Sequence, residues 1–271
     1  MAQVRTFVVM GLLAALLAVF AFVALGERGS EVTDEPPRYV EPREEEPVSQ
    51  VGQGGTARLA LPISARPECL NPYVPGCEGA EALNGLVFEG LLTLSPESEY
   101  RPSLAEGMPS YGDGTLSLEP MTIELRVREN AAFSDGEPVT SADVKWTYGR
   151  AAELAGDGGV SALYSGFSNL EEVETEGRKT VRLVFAEPYA EWRTLLTAPV
   201  LPEHVYGKED LASLALMEEP VGSGPFVFDE ELEAGFAFAA SARHWREALE
   251  FPRLDGLIVE FTGPSESAGG L

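Results

Sequence analysis

Short stretches in which apolar and polar residues alternate are spread along the chain, and this period of two is typical of half-buried β-strands. Met121–Arg128 and Lys179–Ala186 show the alternation, whereas Ala57–Ile63 has the apolar run of a buried strand. Further strands are predicted at Gly224–Ser241, as a hairpin that turns loosely around Glu230–Gly235, and at Leu254–Phe261.

Other stretches place apolar residues at the spacing of one helical face. Glu81–Leu92 is one of them, and Glu191–Ala198 predicts a short helix that Pro199 closes. Thr140 with Asp143 resembles a capping box at a helix start. Apolar residues follow it at helical spacing, at Val144, Tyr148 and Ala151. Because strands and helices are mixed without regular βαβ alternation, the pattern predicts an α/β (mixed α+β) domain.

An uncharged apolar run, Phe7–Leu25, precedes this domain. It is long enough to cross a bilayer core of roughly 30 Å, and Arg5 favours a cytoplasmic N-terminus. A signal peptide cleaved before Glu27 is the alternative, although the run is long for that purpose. We therefore expect residues 1–26 to be a transmembrane anchor or a signal peptide, and everything after them to lie outside the membrane.

Residues 27–55 form an acidic linker that is rich in proline and glycine. Such a segment buries too little apolar surface to fold, and repulsion between its like charges extends it. We expect it to hold the folded part of the chain, residues 56–262, away from the membrane.

The formal net charge of the 271-residue chain is −25. Nucleic acid is therefore not an expected partner, because phosphate contacts need a basic face. We interpret the acidity chiefly as a solubilising surface.

Residues suited to catalysis or metal binding are sparse. His204 and His244 lie far apart, and neither has a second His or Cys at ligand spacing. Gly222–Gly224 lacks the spacing of a nucleophile elbow and is interpreted as a tight turn. The chain has no phosphate-binding glycine motif. We expect no catalytic residue, no metal and no cofactor.

The chain has only two cysteines, Cys69 and Cys77, in a loop rich in proline and glycine. Disulfides persist outside the membrane, and such a loop closes easily. We predict a disulfide between them. Two buried free thiols are the alternative, and a metal site with only two thiolates is less favoured.

Several stretches, in one order along the chain, resemble the extracytoplasmic solute-binding proteins of ABC transporters, of the peptide/nickel type that includes oligopeptide- and dipeptide-binding proteins. The most specific is ELRVRENAAFSDGEPVTSADVKWTYGR, Glu124–Arg150. The others are CLNPYVPGCEGAEALNGLVFEGLL, YRPSLAEGM, LPEHVYG, PVGSGPFVF and ARHW. In the first of these, Asn71 stands where the family usually has Asp.

The resemblance implies a fold of two hinged lobes that enclose a solute. Members are about twice as long as this chain, so residues 56–262 are expected to be the N-terminal lobe and residues 263–271 the truncated start of the second. The implied function is the non-catalytic binding of a peptide or other small solute for delivery to ABC permease subunits. The implied location is the extracytoplasmic face of the plasma membrane, or the secreted or periplasmic space.

The resemblance also implies ligand contacts. The loop that lies beside the ligand in peptide-binding relatives corresponds here to Gly76, Cys77 and Glu78, and Tyr164 is the nearest match to a tyrosine that lines the site. Because Cys77 belongs to this loop, the predicted disulfide would hold the loop in shape before a solute arrives. The alternative function is a membrane-tethered sensor or interaction domain built on the same lobe, without a role in transport.

Overall fold

The computed structural model describes residues 54–62, 67–77, 80–216, 219–246 and 251–262. The apolar run at 7–25, nearly all of the acidic linker and the segment 263–271 lie outside these ranges, so the predictions made for them stay predictions. None of the described helices has the length and apolar character needed to span a membrane.

The described strands are short and are distributed along the whole lobe. They are β1 (Thr56–Leu61), β2 (Leu92–Leu94), β3 (Tyr100–Pro102), β4 (Leu116–Leu118), β5 (Met121–Arg126), β6 (Leu170–Glu176), β7 (Thr180–Phe185), β8 (Phe226–Leu232), β9 (Gly235–Ala240) and β10 (Gly256–Phe261).

Helices lie between these strands. They are α1 (Glu81–Val87), α2 (Ser141–Gly156), α3 (Trp192–Leu195), α4 (Glu203–Tyr206) and two 3₁₀ helices, Ala162–Asn169 and Leu211–Ser213. The mixed α/β class predicted from the sequence is confirmed.

The strands described form three sheets. One has the order β1-β10-β9-β8, another has the order β4-β5-β7-β6, and β2 pairs with β3. In the first sheet β1 runs parallel to β10, with Leu59 opposite Val259, and the other pairs are antiparallel. The first strand of the lobe is thus held by the last one, and long-range backbone pairing closes the lobe.

Alternation predicted β5 and β7 correctly. In β5 the side chains of Met121, Ile123 and Leu125 are buried, while Glu124 and Arg126 are exposed. β5 and β7 are antiparallel neighbours, so their buried faces contribute to one core.

The predicted helix Glu81–Leu92 is only partly right, because α1 ends at Val87 and Phe88 is extended. The chain then passes through Gly90, where a Cβ atom would overlap the backbone of Thr197. Leu92 continues into β2, which pairs with β3. Backbone packing against distant residues therefore ends a helix that periodicity alone would continue.

The hairpin of β8 and β9 turns more tightly than the sequence suggested, because β8 extends to Leu232 and β9 begins at Gly235. A Cβ atom at Gly235 would overlap the carbonyl of Val259. The close approach of β10 therefore requires glycine here, and the prediction of a loose turn was wrong.

The capping box at the start of α2 forms as predicted. The Asp143 carboxylate accepts hydrogen bonds from the backbone N–H of Thr140 at 2.8 Å and from its hydroxyl at 2.7 Å. Its other oxygen accepts from the N–H of Glu203 at 2.9 Å, which ties α4 to the same cap. Val144, Tyr148 and Ala151, the residues at helical spacing, are all buried in the core.

A buried lysine stabilises the loop that leads into α2. The ammonium of Lys179, just before β7, donates to the carbonyl of Val139 at 2.7 Å and to that of Arg128 at 2.8 Å. Burial lowers the pKa of Lys179 below its ordinary value. The cation therefore serves as a donor that crosslinks two loops.

We expect Lys179→Met to lower the free energy of unfolding by roughly 2 kcal/mol, because two carbonyls lose their donor. Urea denaturation measures the change. Lys145→Met is the matched control, since Lys145 is exposed on α2 and a surface substitution changes stability by less than about 0.5 kcal/mol. Equal effects of the two substitutions would contradict the crosslinking role of Lys179.

Candidate ligand-binding cleft

A cleft of about 600 Å³ opens on one face of the described structure. Its wall combines the loop around the two cysteines, α1 and the residues after it, the start of the first 3₁₀ helix, and residues that flank β8 and β10. The volume lies within the range of small-molecule sites in proteins. Segments far apart in sequence therefore converge on one concave surface.

The two cysteines shape the first wall of this cleft. Cys69 and Cys77 form a disulfide with their Cα atoms 5.3 Å apart, in agreement with the prediction. Gly76 lies inside the bridged loop with φ at +97°, a conformation that favours glycine. The bridge and the glycine together set the course of the loop.

The side chain of Asn71 holds the same loop in place through hydrogen bonds. Its side-chain amide donates to the carbonyls of Leu211 at 2.6 Å and Leu214 at 3.0 Å, and its oxygen accepts from the N–H of Tyr73 at 2.9 Å. An aspartate carboxylate could accept the third bond but could not donate the other two. The departure from the Asp that resembling proteins usually carry therefore has a physical reason in this chain.

Aromatic side chains pack beneath the cleft. The hydroxyl of Tyr73 donates to the carbonyl of Pro199, and its ring lies 5.6 Å from the ring of Tyr164 and 6.2 Å from that of Phe167. Complete burial, followed by the nearby tyrosines, raises the pKa of Tyr73 well above its ordinary value. Tyr73 therefore remains a neutral hydrogen-bond donor that joins the loop to the core.

Three of the four predicted ligand-binding residues line the cleft: Gly76, Cys77 and Tyr164. Tyr164 is only 6% exposed, so little of its surface faces the cleft. Glu78 lies outside the described residues. Contact of these residues with a solute stays a prediction.

A polar cluster around Glu89, which lines the cleft, was not predicted from the sequence. The Glu89 carboxylate accepts from the Ser103 hydroxyl at 3.0 Å and from the Trp245 indole N–H at 2.8 Å. The ring nitrogen Nε2 of His244 lies 3.3 Å from the same carboxylate, and the His244 side chain is fully buried. The structural role expected for His244 is thus supported by its contacts.

Arg246 completes this cluster and lines the cleft. Its guanidinium carbon lies 4.4 Å from the centre of the Trp245 ring and 5.4 Å from that of Phe251. Glu89 and Arg246 lie in or beside two of the motifs quoted above, FEGLL and ARHW. Their place in or beside these motifs is the sequence signal that points to Glu89 and Arg246. Residue spacing alone does not show that motifs so far apart in sequence come together in the fold.

His204 lies outside the cleft. Its Nε2 atom is 2.7 Å from a carboxylate oxygen of Asp135, and its ring packs against Phe133. These contacts join α4 to the turn before α2. A structural role, as expected from the sequence, accounts for this histidine.

The turn Gly222–Gly224 also has a structural explanation. A Cβ atom at Gly222 or Gly224 would overlap the backbone at the end of α1, around Val87. The N–H of Gly224 donates to the carbonyl of Val87 at 2.8 Å. Close backbone approach is therefore what requires glycine in this turn.

A family model described as bacterial extracellular solute-binding proteins, family 5 Middle, matches residues 99–269. The match covers more than half of the chain. The chain therefore belongs to family 5 of the bacterial extracellular solute-binding proteins.

Two curated relatives illustrate the similarity. Protein XP55 of Streptomyces lividans is 30% identical over 204 residues, which are 73% of this chain and 35% of that protein. The glutathione-binding protein GsiB of Escherichia coli K12 is 28% identical over 195 residues, 69% of this chain and 35% of its own length. The chain thus spans about a third of the length of these relatives.

A solved structure shows the same fold. The oligopeptide-binding protein AppA of Bacillus subtilis, solved in complex with a nonapeptide, superposes with a TM-score of 0.61 at 21% identity. The superposition covers 78% of this chain and 40% of AppA. The described fold is therefore similar to that of periplasmic binding proteins.

We expect Asn71→Asp to lower the free energy of unfolding by about 2 kcal/mol or more, because two buried carbonyls then face a carboxylate instead of a donor. Chemical denaturation at neutral pH measures the loss. Asn169→Asp is the control, since Asn169 donates to a single carbonyl in an exposed position. If Asn71→Asp were as stable as the control, the anchoring role of Asn71 would be wrong.

Mass spectrometry of the unreduced protein should find Cys69 and Cys77 linked, with no thiol open to alkylation. On the chain-entropy model, replacing both by Ser lowers the free energy of unfolding by roughly 2–3 kcal/mol. Reductant should destabilise the natural chain and leave the double variant unchanged. Two alkylated cysteines in the unreduced protein would contradict the bridge.

Proposed function

We propose that this chain supplies one face of the solute site in an extracytoplasmic binding component of an ABC import system. It binds a peptide or other small solute outside the membrane and presents it to permease subunits, with no chemical reaction. The observation that carries the proposal is the cleft of about 600 Å³ behind a disulfide-braced loop, in a chain of this family. Relatives that bind glutathione and a nonapeptide support peptides as the solute class.

The proposal includes the organisation of the whole chain. Residues 1–26 serve as an anchor or signal peptide, residues 27–55 as a spacer, residues 56–262 as the first lobe and residues 263–271 as the start of the second. The binding component then works on the extracytoplasmic face of the plasma membrane. The family membership favours import over the tethered sensor that the sequence left as an alternative.

The proposed ligand contacts are Gly76, Cys77, Glu78 and Tyr164. Gly76 leaves open space above its backbone, because a Cβ atom there would meet no atom within 4 Å. A solute can therefore approach the peptide groups of this loop closely. Glu78 follows Cys77 directly in the chain and provides a carboxylate for a ligand ammonium or a peptide N–H.

A loop held in one conformation binds better than a mobile one, because less conformational entropy is lost when the solute arrives. The Cys69–Cys77 bridge and the Asn71 anchor both act before binding. They therefore lower the cost of forming the complex without touching the solute.

We expect calorimetry of the full chain with an equimolar pool of tripeptides to give saturable heat. Glu78→Gln should weaken binding about tenfold, because a charge-assisted hydrogen bond contributes roughly 1.5–3 kcal/mol. Glu68→Gln is the matched control, since Glu68 lies next to Cys69 at the other end of the bridge, is exposed and does not line the cleft.

Two results would count against parts of this proposal. Absence of heat with the natural chain would count against peptide capture. Binding that is equally strong in the Glu78 and Glu68 variants would leave solute capture intact but remove Glu78 from the site.

A further inference from the structure

Among the described residues that line the cleft, Glu89 and Arg246 are the ones with a carboxylate or a guanidinium side chain. They contact the same indole ring, that of Trp245, but in different ways. The chemistry that each still offers to a solute depends on the partners it already has within the protein.

The carboxylate of Glu89 already has polar partners within the protein. Its two carboxylate oxygens meet three partners, Ser103, His244 and Trp245, and its side chain is only 13% exposed. A carboxylate with this many internal donors has little capacity left for a ligand cation. Glu89 therefore positions the cluster and is not itself the charged contact of the cleft.

Arg246 has no such partners among the described residues. Among the described residues, none accepts a hydrogen bond from its guanidinium, and no carboxylate lies within 4 Å of it. The guanidinium instead lies over the rings of Trp245 and Phe251. Stacking restricts the planar group before binding, so fewer side-chain conformations are lost when its N–H donors meet an acceptor.

A second guanidinium, that of Arg128, lies against the same ring as Arg246. The Arg128 guanidinium carbon lies 4.1 Å from the centre of the same Trp245 ring, so two cations and the single carboxylate of Glu89 contact one side chain. Burial, and next the charge of Arg246, lowers the pKa of Arg128 below its ordinary value. Two guanidinium groups therefore lie against the Trp245 ring, and the carboxylates of Glu89 and Glu106 act on Arg128.

We propose that Arg246, on the wall of the cleft, forms a subsite for a carboxylate of the solute. This inference rests on the proposed function and narrows the solute class. A short peptide with a free carboxylate would place that end on Arg246, so the cleft would distinguish the two ends of the peptide. The guanidinium fork suits a carboxylate, which accepts two parallel N–H bonds.

The test uses the full chain and two probes that differ in one group, trialanine with a free carboxylate and trialanine with a C-terminal amide. We expect calorimetry to show at least about tenfold tighter binding of the free carboxylate. Arg246→Gln should remove this preference, and Arg246→Lys should retain part of it. Arg243→Gln is the matched control, because Arg243 lies on the same segment but is exposed and does not line the cleft.

Equal affinities of the natural chain for the two peptides, or an unchanged preference in a folded Arg246→Gln variant, would overturn the subsite while leaving solute capture intact. Binding of neither peptide would instead count against the proposed function. In that case the indole N–H resonance of Trp245 is followed during a titration with succinate against chloride at equal ionic strength. A saturable shift that Arg246→Gln abolishes would support the anion site by itself, and no shift would overturn it.

Discussion

Close backbone packing around the end of α1 is the constraint on which the wall of the cleft depends. The carbonyls of Val87, Glu89 and Gly90 accept hydrogen bonds from Gly224, Val200 and Leu104, which belong to different parts of the chain. These contacts require backbones to approach without side chains between them, and glycines at 90, 222 and 224 make that approach sterically allowed. The helix must end at Val87 for this junction to form.

The same junction determines where the charges of the cleft lie. With the backbone of Glu89 fixed, its carboxylate points toward Ser103, His244 and Trp245. Trp245 in turn provides the surface on which Arg246 lies. Backbone packing at the end of α1 therefore influences, through Glu89 and Trp245, where the guanidinium of Arg246 lies on the cleft wall.

Polar side chains in this lobe often complete the hydrogen bonding of loops. Lys179 donates to the backbone carbonyls of two distant loops, and Asn71 donates to carbonyls in and just after the distant 3₁₀ helix Leu211–Ser213. Loops cannot satisfy their carbonyls in the regular way that helices and strands do, so a buried donor replaces the missing partner. The loops of the described structure therefore depend on a few buried polar residues as well as on the apolar core.

Local sequence patterns determine several elements of this protein without reference to tertiary contacts. Alternation identified β5 and β7, the Thr140–Asp143 pair identified the start of α2, and the two cysteines identified their own bridge, because each of these features depends on neighbours in the sequence. The order of the motifs indicated the family. The end of α1 and the contact of Glu89 with Trp245 were decided by tertiary structure. They depend on backbone approach and on a side-chain contact between segments more than a hundred residues apart, and a local pattern carries no information about such distances.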